Sequence, residues 1–361
     1  MNKRIYNFNP GPAVLPEDVL KEVQAELLNY GGTGMSILEI SHRAPAYAEV
    51  HAQAKADIKE LMGLGDDYDV IFTAGGASQT FALIPLNFAT MTHPGSYALS
   101  GSFAEKAYEE AVKLGVGTVA ASTKEADYAR VPAQEDLNIP PDAAYFHICL
   151  NNTIYGTEYH YTPKTDGVPL FADMSSDILS RPWDFGSYDF IYAGVQKNLG
   201  PAGVVLNVAK KKLLEDTPAE LPTMFRYATF QKNDSLYNTP PVFAIYIVGK
   251  TVRWIKEHGG LAAMGEANAK KAALLYDAID SAEGFYRGHA EPGSRSRMNV
   301  TFRLPSEDLE KAFVAEAKEQ GLAGLKGHRS VGGMRASIYN AMPLAGVEKL
   351  AAFMEEFRKK H

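Results

Sequence analysis

Between residues 68 and 210 the chain carries seven short apolar runs, and this constrains its fold more than any other feature. They read YDVIFTA, SYALS, VGTVAAS, AAYFHICL, VPLFADMS, FIYAGV and GVVLNVAK. None shows the strict polar–apolar alternation of a strand with one wet face. Strands apolar on both faces must be covered on both, which is the situation of a parallel sheet. The segments between several of them, such as GGASQTFALIPLNFA and GSFAEKAYEEAVKLG, have helical spacing. The expected class is α/β, a mostly parallel sheet covered by helices.

Residues 1–16 are rich in proline and glycine and read as an extended arm. A helix is predicted over 17–30, with Val19, Leu20, Val23, Leu27 and Leu28 on one side. AYAEVHAQAKADIKELMGLG predicts a second helix, stopped by Gly63 or Gly65. PPVFAIYIVGKTVRWIKEHGG reads as a long helix leaving the sheet. After about residue 260 the texture becomes α+β, with strands at RMNVTFRL and GMRASIY among three helical segments. Ser306 is a plausible cap for the middle one, whose first turn is acidic. We place the boundary near 258, between a large domain (17–258) and a small C-terminal domain (259–361).

The length of 361 residues and the 46% hydrophobic content allow a sizeable core. A net charge of −7 and a pI of about 5.8 disfavour a general nucleic-acid binder. The single cysteine, Cys149, can build no disulfide framework or zinc ribbon, and it lies in a strand-like run where a buried, inert thiol is expected. The N-terminus lacks an apolar leader segment, and no run approaches the roughly 18 apolar residues of a membrane helix. The expectation is a cytoplasmic protein away from membranes.

In open α/β sheets, ligands bind at the carboxyl ends of the strands, and four features fall there. The turn IFTAGGASQTF leads from a strand into a helix, whose free amides at Ala77 and Ser78 could seat a phosphate. Asp173 follows an apolar strand. Lys197 sits in YAGVQKNLGPAG, one strand-to-strand crossing later, where desolvation would free its amine as a nucleophile. Arg43 beside His42, and His328, Arg329 and Arg335 in KGHRSVGGMR, form anion-binding candidates in two glycine-rich loops. Each feature alone has an ordinary reading: a helix cap at Ser78 or Thr80, a capping aspartate, a snorkelling lysine, surface arginines. Together they match what pyridoxal 5′-phosphate requires: a lysine for its aldehyde, an acid for its ring nitrogen and a phosphate seat.

Taken in order, NFNPGPAVLP, EISHRAPAY, TAGGASQTFALIPLN, NNTIYGTEY, FADMSSDILSRP, YAGVQKNLGPAG, YNTPPVFAIYI and KGHRSVGGMRASIYNA resemble the class V aminotransferases of the fold-type-I pyridoxal phosphate enzymes. Within that family the resemblance is to the branch that forms phosphoserine. It implies that Lys197 carries the cofactor and Asp173 partners its ring nitrogen. Ala77, Ser78 and Gln196 would surround the phosphate, and Thr153 would bond near the 3′ oxygen. Asn238 and Thr239 would reach the phosphate from a neighbouring subunit, so a homodimer is implied. His42, Arg43, His328, Arg329 and Arg335 would bind the carboxylate and phosphate of the substrates. The implied reaction moves an amino group from L-glutamate to 3-phosphohydroxypyruvate. A longer phosphorylated 2-oxo acid on a vitamin B6 route stays open. Phe103 departs from the family pattern, which has a tryptophan stacked on the cofactor ring.

Three alternatives stand beside this. A cysteine desulfurase needs a cysteine on a mobile loop, and Cys149 is in a predicted strand. Class V transaminases acting on alanine and glyoxylate or on serine would have less use for the His/Arg set. A non-catalytic protein on this fold would have no need of the lysine or the aspartate.

Overall fold

In the computed structural model, which describes residues 4–361, the seven apolar runs form one sheet. Its strands are β1 (Tyr68–Gly75), β2 (Gly95–Leu99), β3 (Gly117–Ser122), β4 (Tyr145–Cys149), β5 (Leu170–Asp173), β6 (Phe190–Gly194) and β7 (Gly203–Lys210). Their spatial order is β1-β7-β6-β5-β4-β2-β3. Only β7 runs against its neighbours, so β1 to β6 all point their carboxyl ends to one edge. Every residue of β4, β5 and β6 is buried, which is why these runs show no alternation.

Helices α1 (Glu17–Glu26), α2 (Pro45–Met62) and α5 (Val242–Glu257) lie on one side of the molecule, and α3 (Ala77–Phe88) and α4 (Ser102–Lys113) on the other. Ala54, Ile58, Val248 and Val252 pack on one sheet face with Val70, Phe72 and Ile148. Phe81, Ile84, Ala107 and Ala111 pack on the other with Tyr97, Phe171 and Tyr192. Each of the valine, isoleucine and phenylalanine side chains among them contributes about 1.5–3 kcal/mol on burial, so the sheet is the rigid body of the protein. Helix α2 stops at Met62 with Gly63 left-handed (φ 64). The predicted first helix is shorter than its apolar pattern. It ends at Glu26 with Val19 and Val23 buried, while Leu27 and Leu28 lie beyond it, exposed.

The small sheet, β8 (Arg287–Gly288), β9 (Asn299–Arg303) and β10 (Met334–Ser337), is antiparallel in the order β8-β9-β10. Helices α6 (Gly260–Asp280), α7 (Glu307–Glu319) and α8 (Leu344–Lys360) complete its core. Ser306 caps α7, its Oγ accepting the Leu309 N–H at 3.3 Å. Helix α6 begins just past residue 258 but is shared between the cores. Leu261 and Met264 pack with the large sheet, and Leu275 and Ile279 with the small one.

Residues 1–3 of the expected arm lie outside the described residues. The rest of the arm does not trail. Tyr6–Asn7 pairs in parallel with Leu322–Ala323, and Phe8 is fully buried in the small-domain core. Further on, the Ala13 N–H donates to the Gln196 carbonyl at 3.0 Å. The arm thereby ties the core around the small sheet to the loop that carries Lys197.

Candidate active site

The sheet edge collects residues far apart in sequence. Asp173 ends β5, opposite Cys149 of β4 on one side and Tyr192 of β6 on the other. Lys197 lies three residues beyond the end of β6, and Thr153 follows β4. Gly75 at the end of β1 pairs with Gly203, the residue that resumes the sheet after the lysine loop. The start of α3 and the lysine loop therefore share this edge.

Lys197 Nζ donates to Thr153 Oγ1 at 2.7 Å and stands 4.9 Å from the centre of the Phe103 ring. Burial lowers its pKa. The Asp173 carboxylate opposes that shift and the Arg335 charge reinforces it. A larger share of the amine is therefore neutral, and a neutral amine is the form that attacks a carbonyl or takes a proton. Beneath it, burial pushes the Asp173 carboxyl above its ordinary range, against the pull of Lys197 and of two hydrogen bonds from Ser175.

Ser175 was not singled out from the sequence. Its N–H and Oγ donate to Asp173 Oδ1 at 2.9 and 2.5 Å, and its Oγ accepts the Gly194 N–H at 2.9 Å. It thus fixes the acid and joins the ends of β5 and β6. The available signal was local: a serine two residues after an aspartate at a strand end is the pattern of an Asx turn.

No side chain caps α3, so its first amides, at Ala77 and Ser78, remain available to an anion. Thr80 is buried and Ser78 exposed, and neither acts as the cap. Gln196 packs its stem near Gly11 of the arm. Cys149 is buried, its thiol pushed up chiefly by burial, as expected of an inert thiol.

Arg335 leaves β10 buried, and its Nη1 donates to the Thr153 carbonyl at 3.2 Å, while its Nε is buried without a partner. It borders a cavity of about 450 Å³ that His328 also lines. Arg329 lines a second cavity, of about 650 Å³, on the other side of the same turn. His42 and Arg43 border neither cavity within one chain. His42 is half-buried with an unpartnered Nε2, and Arg43 is exposed. The five anion-binding candidates therefore do not converge inside one chain. Asn238 and Thr239 are exposed, and Asn238 borders a small cavity of about 120 Å³ together with Gln79 of its own α3.

The donor set fits pyridoxal phosphate group by group. An amine of lowered pKa suits its aldehyde, a buried carboxylate suits a ring N–H, an uncapped helix start suits its phosphate, and the Phe103 face suits its ring. Fold and site thus define a fold-type-I pyridoxal phosphate enzyme. The aminotransferase class-V family profile matches residues 5–350, and the chain belongs to that family. The chain is 55% identical, over 99% of each protein, to the phosphoserine aminotransferase of Geobacillus kaustophilus. The phosphoserine aminotransferase structure from Bacillus circulans subsp. alkalophilus superposes with a TM-score of 0.97 at 50% identity, over 99% of each chain. A pyridoxal phosphate-bound phosphoserine aminotransferase from Trichomonas vaginalis superposes with a TM-score of 0.92 at 38% identity, over 98% of this chain and 100% of that one.

Proposed function

We propose that the chain transfers the amino group of L-glutamate to 3-phosphohydroxypyruvate, giving O-phospho-L-serine and 2-oxoglutarate, with pyridoxal 5′-phosphate as cofactor. The observation that carries this reading is the double use of Thr153: its hydroxyl holds the Lys197 amine and its carbonyl holds the Arg335 guanidinium. One residue thus joins the group that handles the amine to a cation suited to a substrate carboxylate. Bound there, the cofactor supplies an aldehyde to accept the amino group and a ring that takes up the electrons of the broken Cα–H bond. Lys197, Asp173, Thr153, Phe103, Gln196 and the Ala77 and Ser78 amides would hold it.

The protein's own part follows from these positions. Arg335 fixes the α-carboxylate and so orients the Cα–H bond toward Lys197. The Lys197 amine takes the proton from Cα, which its lowered pKa favours. The Lys197 charge and the two hydrogen bonds from Ser175 oppose the rise that burial imposes on Asp173, and so favour its charged form beside the ring. His328 and Arg329 meet the phosphate of the keto acid. The two substrates use one site in turn, so the kinetics are ping-pong.

The proposed assembly is a homodimer in which Asn238 and Thr239 reach the phosphate of the neighbouring site. Leu28, Met35 and Leu38, exposed at 86%, 46% and 59%, supply an apolar surface for it. His42 and Arg43 follow that segment directly, so a second copy is their route to a substrate phosphate. No helix among the described residues is long and apolar enough to cross a membrane, and a cytoplasmic setting is the proposed one.

The test is a visible spectrum of the holoenzyme on adding glutamate, then 3-phosphohydroxypyruvate. The cofactor band should fall with the first and return with the second. A band that glutamate leaves unmoved would redirect the donor assignment, and one that fails to return would redirect the acceptor.

A further inference from the structure

The turn bearing His328 and Arg329 is held in an unusual way. It leaves the small sheet at Lys326 and returns at Met334, closing on itself where the Gly327 N–H donates to the Gly333 carbonyl at 2.8 Å. Inside it, the Val331 and Gly332 amides fold back on the His328 carbonyl at 3.0 and 2.8 Å. Both the Ser330 N–H and its Oγ lie within hydrogen-bond distance of His328 Nδ1 (3.3 and 2.7 Å). The N–H can only donate, so Nδ1 is an acceptor and the ring's proton sits on Nε2. The turn thus presents an N–H donor. Yet cavities of about 450 and 650 Å³ flank it on its two sides, and His328, Ser330 and Val331 border both. Little packing fixes where it stands.

Among the described residues, one side chain from outside the turn hydrogen-bonds to it. Arg303, the last residue of β9, donates from Nη1 to the Val331 carbonyl at 2.7 Å and from Nε to Glu310 Oε1 at 2.6 Å. Glu310 is buried in the first turn of α7 and also accepts the Leu304 N–H at 3.4 Å. The stem of Arg303 runs along Gly332 and Gly333, both left-handed (φ 75 and 65). A Cβ on Gly333 would collide with Arg303 Cδ and stand 2.6 Å from the Phe302 carbonyl. The turn is therefore shaped to admit this arginine. Lysine has no second planar donor with which to bridge an acid and a carbonyl in fixed geometry.

We infer that Arg303, braced by Glu310, is a positioning residue that sets where the 327–333 turn holds His328 and Arg329, and so tunes recognition of the phosphorylated substrate. The second half of this rests on the functional reading above; the first does not. Two variants, Arg303→Met and Glu310→Gln, separate the halves. In the Arg303→Met holoenzyme, hydrogen exchange of the 328–333 amides should quicken about tenfold, the scale of one charge-assisted hydrogen bond. Amides of β9 and α7 should be unchanged. KM for 3-phosphohydroxypyruvate should rise about tenfold with kcat within about twofold. Glu310→Gln, which keeps an acceptor, should give smaller changes of the same kind. Unchanged exchange in the turn would overturn the proposal. So would uniform quickening of the small domain with a fall in kcat, because Arg303 would then merely support the fold. Faster exchange with KM untouched would uphold the clamp and overturn the reading of the turn as the anion site.

Discussion

Lys197 and Asp173 leave the ends of neighbouring parallel strands, and His328 and Arg329 ride a turn between two cavities. On the first side the reacting groups are tied in a chain: Lys197 to Thr153, Asp173 to Ser175, and Ser175 to Gly194. On the second side, among the described residues, the side-chain hydrogen bond from outside comes from Arg303. The reacting groups must hold fixed geometry through two half-reactions, and a packed sheet edge supplies it. On the function proposed above, the turn would meet the substrate phosphate, and a loosely seated turn could adjust to it. The comparison ranks the residues by the damage their loss should cause.

The largest effect belongs to the tied side. Lys197→Ala should lower turnover by at least about 10⁴-fold, since it removes both the attachment point and the proton carrier. Borohydride treatment of the holoenzyme should attach the cofactor covalently to the wild type and leave the variant unmodified by mass spectrometry. Covalent attachment in the variant would move the role to another lysine. Asp173→Asn keeps the shape and removes the charge. Losing one preorganised electrostatic partner of the reacting centre costs about 10²–10³-fold in rate, so single-turnover rates should fall on that order. A loss under about tenfold would mean that the buried acid serves the fold and the chemistry lies elsewhere.

The tied side also carries a stability cost that pH can expose. His147 in β4 is 1% exposed, with Nε2 at 2.9 Å from the Tyr192 hydroxyl and Nδ1 without a partner. Burial depresses its pKa to about 3. Unfolded, it would titrate near 6.5. Between those values the unfolded chain binds a proton that the native chain refuses, so stability falls as pH drops from about 6.5 toward 3. The slope from this residue is at most about 1.4 kcal/mol per pH unit. Urea midpoints measured across that window should flatten by this amount in His147→Gln, whose amide can still meet Tyr192. Parallel pH profiles for wild type and variant would show that the sheet tolerates a charge there, which would weaken the contrast between the two sides.

How much of this was readable in advance follows the same division. The central strands were legible because full burial removes alternation, and Lys197 and Asp173 because a charged residue ending an apolar run is conspicuous. The reversed direction of β7 was not, since a strand buried on both faces has the same composition in either direction. Nor was the pairing of Tyr6–Asn7 with Leu322–Ala323: two-residue ladders closed over such a separation leave no local pattern. Leu27 and Leu28 extended the helical periodicity past the true end of α1 because an apolar surface beyond a helix mimics its buried face. His42 and Arg43 were grouped with His328 and Arg329 by residue type, and chemistry alone does not tell which chain supplies them. Arg303 offered no signal, because an arginine at a strand end is ordinary until Gly332 and Gly333 are seen to fold around it.

Phe103 tests the comparison most finely, because it sits on the tied side yet departs from the family's tryptophan. Lys197 Nζ lies 4.9 Å and Lys106 Nζ 5.4 Å from the centre of its ring. An indole covers more area and adds an N–H donor. If the ring's task is to stack on the cofactor, Phe103→Trp should tighten cofactor binding by about 1 kcal/mol, roughly fivefold, with little change in turnover. Fluorescence or absorbance titration of the apoenzyme with pyridoxal phosphate measures this directly. A variant that binds no tighter would show that the bonds from Lys197, Asp173 and the α3 amides already hold the ring, leaving the stacked residue free to vary. A variant that binds tighter but turns over more slowly would mean that the larger side chain restrains a movement that turnover needs, so even the tied side keeps some slack.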